Sequence, residues 1–348
     1  MREDEVEGRA APVGEHGREQ LVKRAGADEA GDRLVLDQRL AVNVPGKTQQ
    51  QHAERDCRRH EDERLLRSAA CPHATILGVH VCALGDLLLD VIVRADGAVE
   101  PDPEGEASAE TKVGAGGQSA NVAAWAAALG AEAHFVGKRA ADVAGELAAA
   151  DLSGRKVEVH GPVVEGRNGV VVSLVDTAGG RAMFSDRGVA PELRAEELDV
   201  RWFAGCDWLH LSGYSLFRRP IEEAAAKAAG AVRARGGKVS VDLSSASGIR
   251  SYGPERLLRR LELLEADAVF ANEGELAALG AKPPSGTLVV KRGEKGFTVD
   301  GEEFPALSTD VVDSTGAGDA LAAGYLVGGP ATAAEAAARC VAKLGTMP

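Results

Sequence analysis

The chain has 348 residues, 45% of them hydrophobic and 4% aromatic, with a formal net charge of −13. That length allows a large core in one or two domains, and the acidic balance argues against DNA or RNA as a partner. No apolar run reaches membrane-span length, no apolar h-region follows Met1-Arg2-Glu3-Asp4-Glu5, and the five cysteines lack a disulfide-framework spacing, so a reducing cytoplasm is expected.

Residues 1–78 are crowded with Arg, Glu, Asp, Gln and His and carry no sustained helical or strand period. They read as disordered, or as an artefactual extension from a start assigned too far upstream. Pro45-Gly46-Lys47-Thr48 looks like the tail of a P-loop, but Ala41 stands where that motif needs glycine. His52, Cys57, His60, Cys71 and His73 do not have the spacing of a zinc finger.

From Val79 short apolar runs alternate with helical stretches, the pattern of a parallel sheet covered by helices. Val79–Leu84 is the first expected strand, and Asp90 interrupts the apolar run that follows Gly85-Asp86. Its carboxylate needs a ligand or a partner; hydrogen bonds to substrate hydroxyls and a capped turn both satisfy it. Residues 94–113 are polar and extended, with turns at Asp96-Gly97, Pro101 and Pro103. A glycine cluster, Gly114-Ala115-Gly116-Gly117, then opens an alanine-rich helix that carries Asn121 in its first turn and stops at Gly130.

Strands are expected at Ala131–Gly137 and Lys156–His160, with a helix over Ala140–Ala149 between them. Gly169–Asp176 and Arg181–Ser185 read as a strand pair joined through Gly179-Gly180. Arg187 follows, facing either a polar substrate or solvent. Trp208–Ser212, Lys238–Leu243, Asp267–Ala271, Gly286–Lys291 and Glu302–Leu307 are further strands, and Pro220–Arg235, Glu255–Leu264 and Ala331–Leu344 are helices. Asp242 ends its strand beside a phosphate site or in a turn. Asn272, read alone, is a helix N-cap followed by an acidic first turn that includes Glu275. Gly293 and Gly296 flank a tight connection, and Lys291 or Lys295 either helps to hold polyphosphate or is solvated.

The most informative run is Asp313-Ser314-Thr315-Gly316-Ala317-Gly318-Asp319-Ala320, which opens directly into an apolar helix. Gly316 and Gly318 admit a ligand close to the backbone, and the unpartnered amides at the helix start favour an anion. Asp319 inside an anion site costs electrostatic energy. A general base that touches the attacking hydroxyl gives it a reason to be there.

This run resembles the C-terminal signature of the PfkB (ribokinase-like) family of carbohydrate kinases. Gly116-Gly117 with Asn121 resembles the family's N-terminal signature, Gly85-Asp86-x-x-x-Asp90 its first sugar-binding motif, and Asn272-x-x-Glu275 its Asn-x-x-Glu motif. The resemblance covers residues 79–348. It implies a three-layer α/β/α core with a mostly parallel sheet, plus a small β-sheet lid from about 91–115 and 165–187.

The implied reaction is ATP-dependent phosphorylation of a primary hydroxyl of a sugar or sugar acid, of the ribokinase or 2-keto-3-deoxygluconate kinase type. A nucleoside kinase and a non-catalytic sugar- or nucleotide-binding regulator are the alternatives. Asp319 would be the base and the amides of Gly316, Ala317 and Gly318 the anion hole. Asp90, Gly116, Gly117, Asn121 and Arg187 would hold the sugar. Asn272, Lys291, Gly293 and Gly296 would meet the nucleotide, and Glu275 would order Mg²⁺. A monovalent cation near the anion hole and a homodimer remain open.

Overall fold

A computed structural model describes residues 78–96, 108–175 and 181–348. The expectations for residues 1–77, for the turns at 97–107 and for the Gly179-Gly180 turn lie outside the described residues. In chain order the strands begin with β1 (His80–Leu84), β2 (Leu88–Ala95), β3 (Ala109–Gly116), β4 (Glu132–Val136), β5 (Arg139–Ala140), β6 (Glu158–His160), β7 (Val163–Val164) and β8 (Asn168–Val175). They continue with β9 (Arg181–Gly188), β10 (Trp208–Ser212), β11 (Lys238–Asp242), β12 (Ala268–Asn272), β13 (Thr287–Lys291), β14 (Phe297–Val299) and β15 (Glu302–Phe304).

Nine strands form the main sheet in the order β15-β14-β13-β12-β11-β10-β1-β4-β6. Every pairing from β13 to β6 is parallel, and β14 and β15 add an antiparallel edge. β1 is buried along its whole length, as a strand covered on both faces must be. A second sheet of four strands, β3-β2-β8-β9, stands apart from it. β5 and β7 make a small two-stranded ladder.

The helices are α1 (Gln118–Ala128), α2 (Val143–Gly154), α3 (Ile221–Arg233), α4 (Ala246–Tyr252), α5 (Pro254–Leu264), α6 (Glu273–Leu279) and α7 (Ala317–Val341). Two hydrophobic cores sandwich the main sheet. Val81, Ala83 and Phe135 pack under α1 and α7, while Cys82, Leu84 and Val136 pack on the side of α3 and α5. α5 illustrates the local logic. Pro254 occupies its first turn, Leu257, Leu261 and Leu264 line its buried stripe, and Glu265 ends it in a left-handed conformation. Among the described residues no helix is long and apolar enough to cross a membrane.

Several boundaries differ from expectation for physical reasons. The helix expected at Ala140–Ala149 runs from Val143 to Gly154, because Arg139–Ala140 joins Val163–Val164 and Asp142 caps the helix, accepting from Gly145 N at 2.8 Å. The strand expected from Lys156 starts at Glu158, because Lys156 is left-handed at φ 65°. Gly114–Gly116 belongs to β3 instead of a loop. α4 was not expected; Ser245 caps it, accepting from Gly248 N at 3.0 Å. The last helix does begin anew near Ala331, since α7 breaks at Gly329 (φ 76°, ψ −163°), just before Pro330.

Candidate active site

Parallel strands bring their carboxyl ends to one rim of the sheet, where open α/β folds gather ligands. Four neighbouring strands end there on polar side chains: Ser212 of β10, Asp242 of β11, Asn272 of β12 and Lys291 of β13. Register sets Ser212 beside Asp242 and Asn272 beside Lys291. Lys291 Nζ reaches Asp242 Oδ2 at 2.6 Å, and Asp242 is fully buried. Burial opposes the charge on Lys291, but Asp242 and Glu275 outweigh it and hold its pKa above the ordinary value.

The turn into α7 faces this rim. Gly316 is left-handed at φ 78°, and a Cβ there would sit 2.8 Å from Thr346 Cα. The first α-helical bond of α7 runs from Ala320 N to Gly316 O at 2.9 Å, and no side chain caps the helix. The amides of Gly318 and Asp319 therefore have no intrahelical acceptor. A Cβ on Gly318 would lie 3.3 Å from Lys291 Nζ, so the missing side chain brings the lysine alongside the helix start.

Asp319 stands in that first turn. Asn121 Nδ2 donates to its Oδ2 at 2.7 Å, and Thr346 Oγ1 donates to Asn121 Oδ1 at 3.0 Å. Burial pushes the Asp319 carboxyl up to about 7, and the charge of Asp242 adds to this, while Asn121, Lys291 and Gln118 pull it down. A carboxyl poised near neutrality is suited to take a proton in the reaction.

Two cavities meet at the turn, and Ser314 lines both. The first, of about 580 Å³, lies between the main sheet and the four-stranded sheet. Asp90, Gly117, Asn121, Arg187, Gly316 and Asp319 all line it. The second, of about 680 Å³, is lined by Lys291, Gly293, Gly296, Ala317 and Gly318 and by an apolar wall that includes Leu307, Val311, Leu321 and Val341. Both fall in the size range of small-molecule sites.

Several residues singled out from the sequence have more specific surroundings than their spacing conveyed. A Cβ on Gly116 would come within 2.2 Å of the Asp90 carboxyl atoms, so this glycine makes room for that aspartate without lining the cavity. Gly117, at φ 99°, passes close over the Asp86 carbonyl. Arg187 is engaged with Asp86 at 2.5 and 3.0 Å and donates to Tyr214 O at 3.1 Å. Asn272 lines the first cavity and not the second.

Glu275 lines neither cavity; both its oxygens accept from Asn272, from the backbone N at 2.8 Å and from Nδ2 at 2.9 Å. Lys295 also lines neither. Sequence reasoning missed Thr346, Gln118 and Tyr214. Their partners are distant in the chain, and no local motif marks them.

Fold and site together define a phosphotransferase with an alcohol acceptor. The chain belongs to the pfkB family of carbohydrate kinases, whose profile it matches over residues 79–346. An ATP-dependent ribose-1-phosphate kinase of Halopiger xanaduensis is 34% identical over 262 residues, which cover 71% of this chain and 84% of the relative. A fructokinase of Escherichia coli is 30% identical over 275 residues, covering 72% and 85%. Among solved structures, an adenosine kinase from Sinorhizobium meliloti superposes with a TM-score of 0.67 at 24% identity, covering 78% of this chain and 96% of that one. An uncharacterized sugar kinase from Pyrococcus horikoshii in complex with ATP superposes with a TM-score of 0.64 at 23% identity, covering 77% and 95%. The ribokinase-like α/β fold is thus shared with these structures.

Proposed function

We propose that the chain transfers the terminal phosphoryl group of ATP to a primary hydroxyl of a sugar or sugar acid held in the first cavity. The observation that carries this reading is the position of Asp319. It faces the first cavity, while the amide-bearing turn it belongs to also walls the second. The hydroxyl oxygen bonds to phosphorus as the bond to ADP breaks, and its proton passes to Asp319. The amides of Gly316–Asp319 receive charge from the transferring group.

Asp90 and Asn121 hold sugar hydroxyls in this reading, with Gly116 and Gly117 bringing the backbone close. The four-stranded sheet covers the acceptor and keeps out water, which would otherwise take the phosphoryl group. The first cavity is lined by Asp86, Asp90, Asp313 and Asp319 against a single lining cation among the described residues, Arg187, which Asp86 already holds. Within the proposed range of acceptors, that balance favours an uncharged sugar over a sugar acid or a phosphorylated acceptor.

The nucleotide base would occupy the apolar second cavity, with Lys291, Gly293 and Gly296 along its phosphates. Magnesium, when bound, offsets the charge of the phosphate oxygens. Asp242 is paired with Lys291 and Glu275 with Asn272. These residues fit an ion that keeps most of its own waters, ordered by the acidic groups behind them.

The test is ATP consumption with Mg²⁺ against ribose, fructose, 2-keto-3-deoxygluconate, ribose 1-phosphate and adenosine, with Asp319→Asn alongside. The expected result is turnover of a sugar by the wild type, a loss of at least about a thousandfold in the variant, and unchanged ATP binding. Undiminished turnover by Asp319→Asn would sink the assignment of the base. Turnover of adenosine alone would make this a nucleoside kinase.

A further inference from the structure

A second constellation lies on the opposite face of the main sheet from α1 and α7. β1, β4 and β6 are adjacent parallel strands, and their register pairs His80 with Glu132, Cys82 with His134, His134 with Glu158, and Val136 with His160. Paired positions and every second residue share a face. His80, Cys82, Glu132, His134, Glu158 and His160 therefore project together, on the side where Cys82 and Val136 join the core beneath α3. The turn Val200–Phe203 closes over them. None of the six lines either cavity of the kinase site.

The atoms converge in a way that calls for a cation. His134 Nδ1 lies 3.2 Å from Trp202 O. A carbonyl only accepts, so Nδ1 carries a hydrogen and Nε2 is the ring atom that faces the carboxylates. His134 Nε2 lies 3.1 Å from Glu158 Oε2 and 3.5 Å from Glu132 Oε1. His160 Nε2 is buried without a hydrogen-bond partner, 3.3 Å from Glu158 Oε1. Its ring is held flat against Trp202, with centroids 5.8 Å apart and planes 11° apart.

We propose that His134, Glu158 and His160 bind zinc or another divalent first-row ion that favours imidazole. Metal–ligand bonds of about 2.0–2.1 Å in a tetrahedron place neighbouring ligand atoms about 3.3 Å apart. His134 Nε2 and His160 Nε2 approach the Glu158 carboxylate to 3.1 and 3.3 Å, near that edge, and one ligand atom from each of the three residues lies within 4.8 Å of the other two. The Trp202 carbonyl fixes the ligating tautomer of His134, as outer-shell acceptors do in zinc sites. Ligands on two neighbouring strands, at the edge of the main sheet, make the ion a staple of that edge.

The test uses the full-length protein, stripped by chelator dialysis and titrated with Zn²⁺ by calorimetry, with metal content measured after gel filtration. Glu158→Gln and His160→Gln are the variants, since these side chains are 63% and 18% exposed and sit on the edge strand. Circular dichroism and sugar-kinase turnover confirm that each folds. The wild type is expected to retain one equivalent of Zn²⁺ more than either variant and to melt at a higher temperature with Zn²⁺, a shift the variants lack. Co²⁺ should give the intense visible bands of a tetrahedral site in the wild type alone. Equal uptake by all three proteins, or none by the wild type, would overturn the proposal.

Discussion

Asn121 donates to Asp319 through Nδ2 at 2.7 Å while its Oδ1 accepts from Thr346 at 3.0 Å. The two bonds fix which way the amide points, since only its nitrogen can donate to the carboxylate. The helix that carries Asn121 is itself tied to the segment around Thr346, because Trp125 Nε1 donates to Thr346 O at 2.8 Å. One residue thus orients the partner of the proposed base and anchors the partner's helix.

Thr346→Val keeps the shape and removes the hydroxyl. One lost hydrogen bond is worth about 1 kcal/mol, so kcat should fall by roughly fivefold, with KM for ATP unchanged. Thr346→Ser should restore the rate. Steady-state kinetics on the three proteins check this; a Ser variant as slow as Val would mean that the methyl packing matters and the hydroxyl does not.

The rate should also follow the protonation of Asp319. Burial raises its pKa to about 7, so the acid form dominates below that pH and cannot accept the hydroxyl proton. The expected log kcat/KM rises with unit slope up to about pH 7 and then levels off. The stability sign is opposite. The folded state holds this proton more tightly than the unfolded state, so the group favours folding at low pH and that contribution is lost as pH rises through about 7. Asp319→Asn, which has no charge to bury, should be more stable than the wild type at pH 8 by about 1–4 kcal/mol. The gap should close towards pH 4, as read by urea unfolding.

Lys291 and Asp242 form the third test. Asp242 is fully buried at the end of β11, and Lys291 reaches it from two strands away at 2.6 Å. Lys291→Met would leave an unpaired buried carboxylate and should cost about 3–5 kcal/mol of stability. Adding Asp242→Asn should recover most of that loss, even though phosphoryl transfer stays impaired. No recovery in the double variant would mean that the lysine stabilises through packing alone.

The fold was legible where its signals are local. The closely spaced Val and Leu residues of β1, β10 and β11 announce buried parallel strands, and Gly316-Ala317-Gly318-Asp319 announces a glycine turn that opens a helix. Legibility failed where the cause is tertiary. Nothing near Asn121 indicates an aspartate 198 residues away, and Asp242 in isolation fits a turn as well as an ion pair with Lys291. Glu275 shows the opposite limit. Its spacing from Asn272 carries both a capping box and a metal motif, and the structure shows the capping box formed. Arg187 read as facing either substrate or solvent, and its actual partner Asp86, 101 residues earlier, gives no local sign of claiming it.

The partition between the cavities has a consequence for how such a protein can diversify. Ser314 and the glycine turn form a wall of backbone between the two chambers. The acceptor chamber takes Ile92, Val171 and Ser185 from the four-stranded sheet, and none of these reaches the other side. Mutations in those strands can therefore retune the choice of acceptor while the donor chamber and the proposed base stay untouched. Under the proposed assignment of the two cavities, substrate preference and phosphoryl chemistry are separately heritable traits of one chain.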